Sequence, residues 1–112
     1  MGNSVTALTE AVYYILLSLV RPRHGYAIMQ HVEAMSRGRL RISAGTMYGA
    51  LSGLIDKGWI EPLECDGGSR KKEYRITAVG REALACELER LRELVENGAA
   101  VLDGGDQVGQ NM

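Results

Sequence analysis

With 112 residues and a formal charge of −1, the chain has room for one domain with its own core and lacks the overall positive charge of a generic polyanion binder. The charge is segregated all the same: between positions 21 and 75 ten basic residues face six acidic ones, and between 81 and 106 three basic residues face seven acidic ones. A basic middle and an acidic end suit a nucleic-acid face backed by a solvated module.

Residues 6–20 read as a helix, with Leu8, Val12, Ile15 and Leu19 on one stripe and Tyr13, Leu16, Leu17 and Val20 on another. A helix apolar nearly all round must be buried on two sides. Thr9, Glu10 and Ser18 interrupt it, and it falls short of the roughly 20 apolar residues of a membrane span, so no membrane association is expected. One stripe faces the chain's own core, and the other calls for a second copy. Pro22 stops this helix. His24 and Gly25 open a second, running to about Ser36 with Ala27, Ile28, Val32 and Met35 inward. Gly38 ends it, and Arg39-Leu40-Arg41-Ile42 alternates as a very short strand would.

Residues 42–58 are the stretch around which the rest is organised. Ser43 is a suitable N-cap, Met47, Leu51 and Leu54 share one helical face, and Gly58 is placed to end the helix in a left-handed turn. The opposite face carries Gly45, Thr46, Gly49, Ser52, Gly53 and Asp56. Each interior glycine costs about 1 kcal/mol relative to alanine, so Gly45, Gly49 and Gly53, one to a turn, need a reason. Two remain open: close approach to a nucleic-acid groove, or tight packing on another helix of the same protein. Two helices followed by a third with a free polar face form the helix-turn-helix order, in which the last helix enters a major groove.

Residues 59–64 read as a strand with Trp59 over the end of the core and Pro62 confining it to an edge. Asp66-Gly67-Gly68-Ser69 signals a turn and residues 70–76 return, giving a two-stranded hairpin. Arg70, Lys71 and Lys72 at its tip read as a wing on the phosphate backbone or as a solvated surface loop; the upstream helix-turn-helix favours the wing. Thr77 caps a last helix to about Asn97, where Leu84, Leu88, Leu91 and Val95, with Leu94 beside them, form one apolar seam over a charged remainder. The seam is suited to a twin chain, packing on its own domain being the alternative. From Gly98 the glycine-rich tail has no usable period and is expected to be disordered.

Cys65 and Cys86 form no CxxC pair and follow no secretory leader, so reduced thiols in the cytoplasm are expected. His24 and His31 have no thiolate or carboxylate at ligand spacing, so no metal and no cofactor is expected. There is no nucleophile with an evident base, no phosphate-binding loop and no paired carboxylates, hence no case for an enzyme; a transferase using Cys65 or Cys86 would lack an activating histidine nearby in sequence.

Taken together, several motifs resemble the PadR-like transcriptional regulators, winged-helix repressors of bacteria and archaea. The carriers are His24-Gly25-Tyr26 with Ile28; Gly45-Thr46-Met47-Tyr48 with Leu51 and Leu54; Gly58 and Ile60; then Arg70, Lys72, Tyr74, Ile76, Thr77 and Gly80. The likeness runs from about Leu8 to Leu94 and is closest to the smaller branch of the family, with a single C-terminal helix. It implies a mainly α fold with a small β-hairpin wing: a winged helix-turn-helix DNA-binding domain over residues 1–77, a dimerisation helix over 78–97 and a disordered tail over 98–112.

The resemblance implies a homodimer on a pseudo-palindromic operator in double-stranded DNA. The DNA-binding residues would be Tyr26, Ser43, Gly45, Thr46, Tyr48, Gly49, Ser52, Arg70, Lys71 and Lys72. The dimer interface would use Leu8, Tyr13, Leu16, Leu17, Leu84, Leu88, Leu91, Leu94 and Val95. Family members answer to small apolar or phenolic effectors; Tyr13, Tyr14, Leu17, Leu88 and Leu91 are the corresponding lining here, though the same residues read more readily as dimer core. Members often carry proline at the position of Gly49 and basic residues near Ser52 and Gly53, so bidentate arginine readout of guanine from mid-helix is not available. Specificity is then expected to lean on helix N-terminal contacts and DNA shape. The last helix lacks a tryptophan that could stack on a planar drug. The rival reading is a winged-helix protein-interaction module without DNA binding.

Overall fold

A computed structural model describes residues 7–64 and 72–104. The described residues form four helices and three short strands: α1 (Glu10–Ser18), β1 (Arg23–His24), α2 (Gly25–Met35), α3 (Ala44–Asp56), β2 (Ile60–Leu63), β3 (Glu73–Ile76) and α4 (Ala78–Leu102). None of these helices is long and apolar enough to cross a membrane.

Side-chain caps set the helix starts. The Thr9 hydroxyl accepts from the Val12 amide at 3.2 Å, so α1 begins at Glu10, four residues later than the apolar pattern alone suggests. His24 caps α2 through Nδ1, Ser43 caps α3 and Thr77 caps α4. Two helix ends are Schellman motifs. At the end of α3 the Trp59 amide reaches the Leu54 carbonyl (3.0 Å) and the Gly58 amide that of Ile55 (2.9 Å), with Gly58 left-handed at φ 75°. At the end of α2 the Gly38 amide reaches Glu33 (2.8 Å) and the Arg37 amide reaches Ala34 (3.1 Å).

The core gathers Ile15, Leu16 and Leu19 from α1, Ile28 and Val32 from α2, Met47, Leu51 and Leu54 from α3, then Ile60, Tyr74, Ile76 and Leu84. Trp59 packs against its edge, as its position after Gly58 suggests. Thr77 ties the modules together: its amide donates to the Trp59 carbonyl (2.9 Å) and its hydroxyl to that of Gly58 (2.6 Å). Gly80, one turn into α4, is buried so tightly that a Cβ there would run into the Trp59 carbonyl oxygen.

Three expectations are corrected. The sheet has three strands, not two, in the order β1-β3-β2, because Arg23 pairs with Tyr74 and His24 with Glu73. Residues 39–42 form no strand; the buried Ser36 hydroxyl accepts from the Leu40 amide at 3.0 Å and folds that stretch back on α2. The last helix does not stop at Asn97 but runs through Gly98 to Leu102, since Ala99, Ala100, Val101 and Leu102 sustain it. Pro62 does lie on an edge strand, β2, which pairs with β3 alone.

Candidate nucleic-acid interface

On α3 the buried residues are Met47, Leu51 and Leu54, and the face opposite them is open. Gly45, Thr46, Gly49, Ser52 and Gly53 are all exposed. A Cβ added at Gly45, Gly49 or Gly53 meets no atom of the described residues within 4 Å, so the glycine stripe does not serve packing on another described helix. The Ser43 hydroxyl is engaged in capping, accepting from the Thr46 amide and donating to Thr46 Oγ1, each at 3.1 Å. That exchange locks the first turn and leaves the remaining N-terminal amides to an outside acceptor.

Tyr48 joins α3 to its neighbours. Its ring lies over the start of α2, the phenol oxygen 2.5 Å from where a Cβ on Gly25 would sit, so any larger residue there would push the phenol aside. Half of its surface remains exposed. Tyr74, on β3, has its hydroxyl pushed above the ordinary value by burial first and then by the charge Tyr48 would carry. Tyr26, in the first turn of α2, is 63% exposed. The register that sets His24 opposite Glu73 brings the exposed Lys72 alongside the same helix start. Tyr26, Tyr48 and Lys72 therefore converge near the α2 N-terminus, beside the open face of α3. Arg70 and Lys71, the turn at 66–69 and Cys65 lie outside the described residues.

Of the residues expected at a dimer interface, Leu16 and Leu84 are corrected: they are 0% and 8% exposed within the single chain and have almost no surface left to offer a partner. Leu8, Tyr13, Leu17 and Leu91 are half-buried, and Leu88, Leu94 and Val95 are exposed, so an apolar face does run along α1 and α4. Between those helices a groove of about 290 Å³ is lined by Leu8, Glu10, Tyr13, Tyr14, Glu87 and Leu91. It includes Tyr13, Tyr14 and Leu91 of the expected effector set, without Leu17 and Leu88, and adds two carboxylates that apolar periodicity could not reveal. Tyr13 and Tyr14 meet edge to face, their ring centroids 6.1 Å apart. Cys86 is an exposed free thiol, and among the described residues no cluster of three or more His, Cys, Asp or Glu side chains could hold a metal.

Arg37, Arg39 and Arg41 lie outside the expected DNA-binding set and are all exposed on the turn that leads into Ser43. Their signal in the sequence is three arginines at alternate positions just ahead of an N-cap, a spacing that also suits a short strand.

The family model of the transcriptional regulator PadR-like family matches residues 14–86. The chain belongs to this family. As a PadR-like regulator it is a member of a family of transcription factors rather than of enzymes, and its fold is a winged helix. A crystal structure of a PadR family transcriptional regulator from Eggerthella lenta DSM 2243 is similar to it, with 28% identity and a TM-score of 0.64, the match covering 83% of this chain and 80% of that one. In sequence it resembles an uncharacterized 37.1 kDa protein in transposon TN4556 of Streptomyces fradiae, 40% identical over 73 residues, which are 65% of this chain. The match spans only 20% of that longer protein. An uncharacterized protein X of Lysinibacillus sphaericus is 30% identical over 82 residues, covering 71% of this chain and 75% of that protein.

Proposed function

We propose that the chain is a cytoplasmic, homodimeric, sequence-specific DNA-binding repressor that lays α3 into the major groove of a pseudo-palindromic operator and is released by a small apolar or phenolic effector. The observation that carries this reading is the bare outer face of α3, where three glycines that weaken the helix have no packing role among the described residues. Backbone that close to the surface can enter a groove more deeply than a helix clothed in long side chains. Tyr26, Tyr48 and Lys72 flank the face as phosphate contacts, with Ser43 and Thr46 at the groove, and Arg70 and Lys71 are counted as further phosphate contacts in this reading. Residues 1–77 are the DNA-binding domain in this reading and α4 is the dimerisation helix. The apolar face shared by α1 and α4 supports the second copy, and the groove beside Tyr13, Tyr14 and Leu91 is where an effector would wedge.

The test is a salt titration on a fluorescent duplex covering the promoter of the chain's own gene, beside a scrambled duplex. Native protein should prefer the promoter by about a thousandfold. A variant with Arg70, Lys71 and Lys72 all changed to alanine should show a shallower salt slope on both duplexes. Absence of binding to either duplex at low salt would overturn the reading in favour of the interaction module, with the glycine face docking a protein. A complex in which wing side chains make most base contacts would overturn the expectation that specificity rests on the α3 N-terminus and DNA shape.

A further inference from the structure

The turn between α2 and α3 carries Arg37, Arg39 and Arg41 within five residues. It is built rigidly. The Ser36 hydroxyl, 6% exposed with its residue, accepts from the Leu40 amide at 3.0 Å and lies within donating distance of the Glu33 and Leu40 carbonyls at 3.2 and 3.3 Å. Arg37 and Gly38 both hold left-handed backbone, at φ 57° and 80°. The arginines thus stand on a fixed ramp that ends at the cap of the recognition helix.

Two of them are occupied by carboxylates from other elements. Arg41 meets Glu33 of α2, Nε to Oε2 at 3.1 Å, and Arg39 meets Glu10 of α1. The Arg41 side chain stays 76% exposed and that of Glu33 45%, so the pair holds weakly against water and salt. A guanidinium engaged at Nε keeps its outer amino groups for a second oxyanion, and a phosphate suits its fork as well as a carboxylate does. Arg39 pairs instead with Glu10 of α1, which lines the groove between α1 and α4. Arg41 is two residues ahead of Ser43, and its partner lies on α2, the helix whose first turn presents Tyr26.

We propose that this turn is a phosphate-backbone contact flanking the recognition helix, in which Arg41 binds the phosphate and Glu33 is the internal carboxylate that occupies Arg41 until DNA displaces it. The proposal rests on the DNA-binding reading above. Binding then exchanges one ion pair for another, and the displaced carboxylate beside the backbone weakens binding to any sequence.

The experiment compares salt dependence on the promoter and scrambled duplexes for native protein, Arg41→Ala, Glu33→Gln and Arg39→Ala. Arg41→Ala should weaken binding to both duplexes and flatten the logarithmic salt slope by about 0.9 for each copy of Arg41 at the DNA. Glu33→Gln should tighten both, a gain that general damage to the fold cannot produce, and Arg39→Ala should keep the native slope. If native protein prefers its promoter while Arg41→Ala keeps the native slope, or Glu33→Gln weakens binding, the inference is overturned and the DNA-binding reading survives. If native protein binds neither duplex, both fall together.

Discussion

Glu87, on α4, accepts a hydrogen bond from the backbone amide of Leu8 at 3.1 Å, a contact across 79 positions of the chain. The same carboxylate takes a two-point fork from Arg90, at 2.8 and 2.7 Å, and its side chain is only 3% exposed. The Arg90 hydrogen bonds hold its pKa below the ordinary 4.5 although burial pushes the other way, and the Leu8 amide adds to the lowering. The carboxyl is therefore more acidic folded than unfolded. Its stabilising contribution is complete above the unfolded value and is lost as pH falls through the folded one. Replacing it with alanine leaves the half-buried Leu8 amide without its acceptor, so Glu87→Ala should cost about 1 kcal/mol at pH 7. Thermal melts from pH 7 to pH 3 should show the native advantage shrinking in acid; parallel curves would refute the assignment.

Two glycines should respond to alanine with opposite signs. At Gly80 the new methyl collides with main chain at Trp59, which cannot swing aside, so Gly80→Ala should destabilise by about 3 kcal/mol. At Gly49 the space is open, so Gly49→Ala should stabilise by about 1 kcal/mol. Urea unfolding measures both. If α3 lies in a groove, the more stable Gly49→Ala should also bind operator less tightly, by about tenfold.

Arg37 adopts a left-handed conformation at φ 57°, at the position of its Schellman motif where glycine is usual. Such backbone strains any residue with a Cβ. Arg37→Gly should therefore raise stability by about 1 kcal/mol, read from a shift in urea midpoint at unchanged slope. A loss of stability would mean that the arginine side chain contributes more than its backbone costs.

His31 is half-buried between α1 and α2, with Nδ1 3.0 Å from the Ser18 hydroxyl. Burial, and secondarily the charge of Arg23, lower its pKa below 6.5. The neutral ring is thus the form the fold prefers, and its contribution is present above pH 6.5 and lost as pH falls through the folded value. Titration of the ring by NMR should give a midpoint below the ordinary value, and Arg23→Gln should move it part of the way back.

Much of the architecture was readable because it is written locally. Ser43 and Thr77 cap where their hydroxyls and following apolar residues say they should, and Gly58 turns left-handed where α3 runs out of apolar positions. What escaped depends on partners distant in sequence. Arg23 looks like linker and His24 like a helix start, and they become a strand only because Tyr74 and Glu73 arrive beside them. Asn97-Gly98 is a turn signal by composition, yet no turn is taken there, since helix-forming residues continue on both sides. Periodicity marked Leu16 and Leu84 as apolar faces but could not say that their cover comes from the same chain. At the candidate interface the polar, glycine-rich stripe of α3 is legible in the sequence but not whether another helix covers it, and the Tyr48 perch over Gly25 and the paired arginines of the preceding turn depend on tertiary approach.

Trp59 is the single tryptophan of the chain, and the Lys57 ammonium sits 4.8 Å from the centre of its ring. It stands where α3 hands over to β2, half in the core and half towards water. The molecule therefore carries an intrinsic optical gauge at the junction between its two candidate contact elements. Any reorientation of α3 against the sheet changes what surrounds the indole, and unlabelled protein will register it as a change in emission.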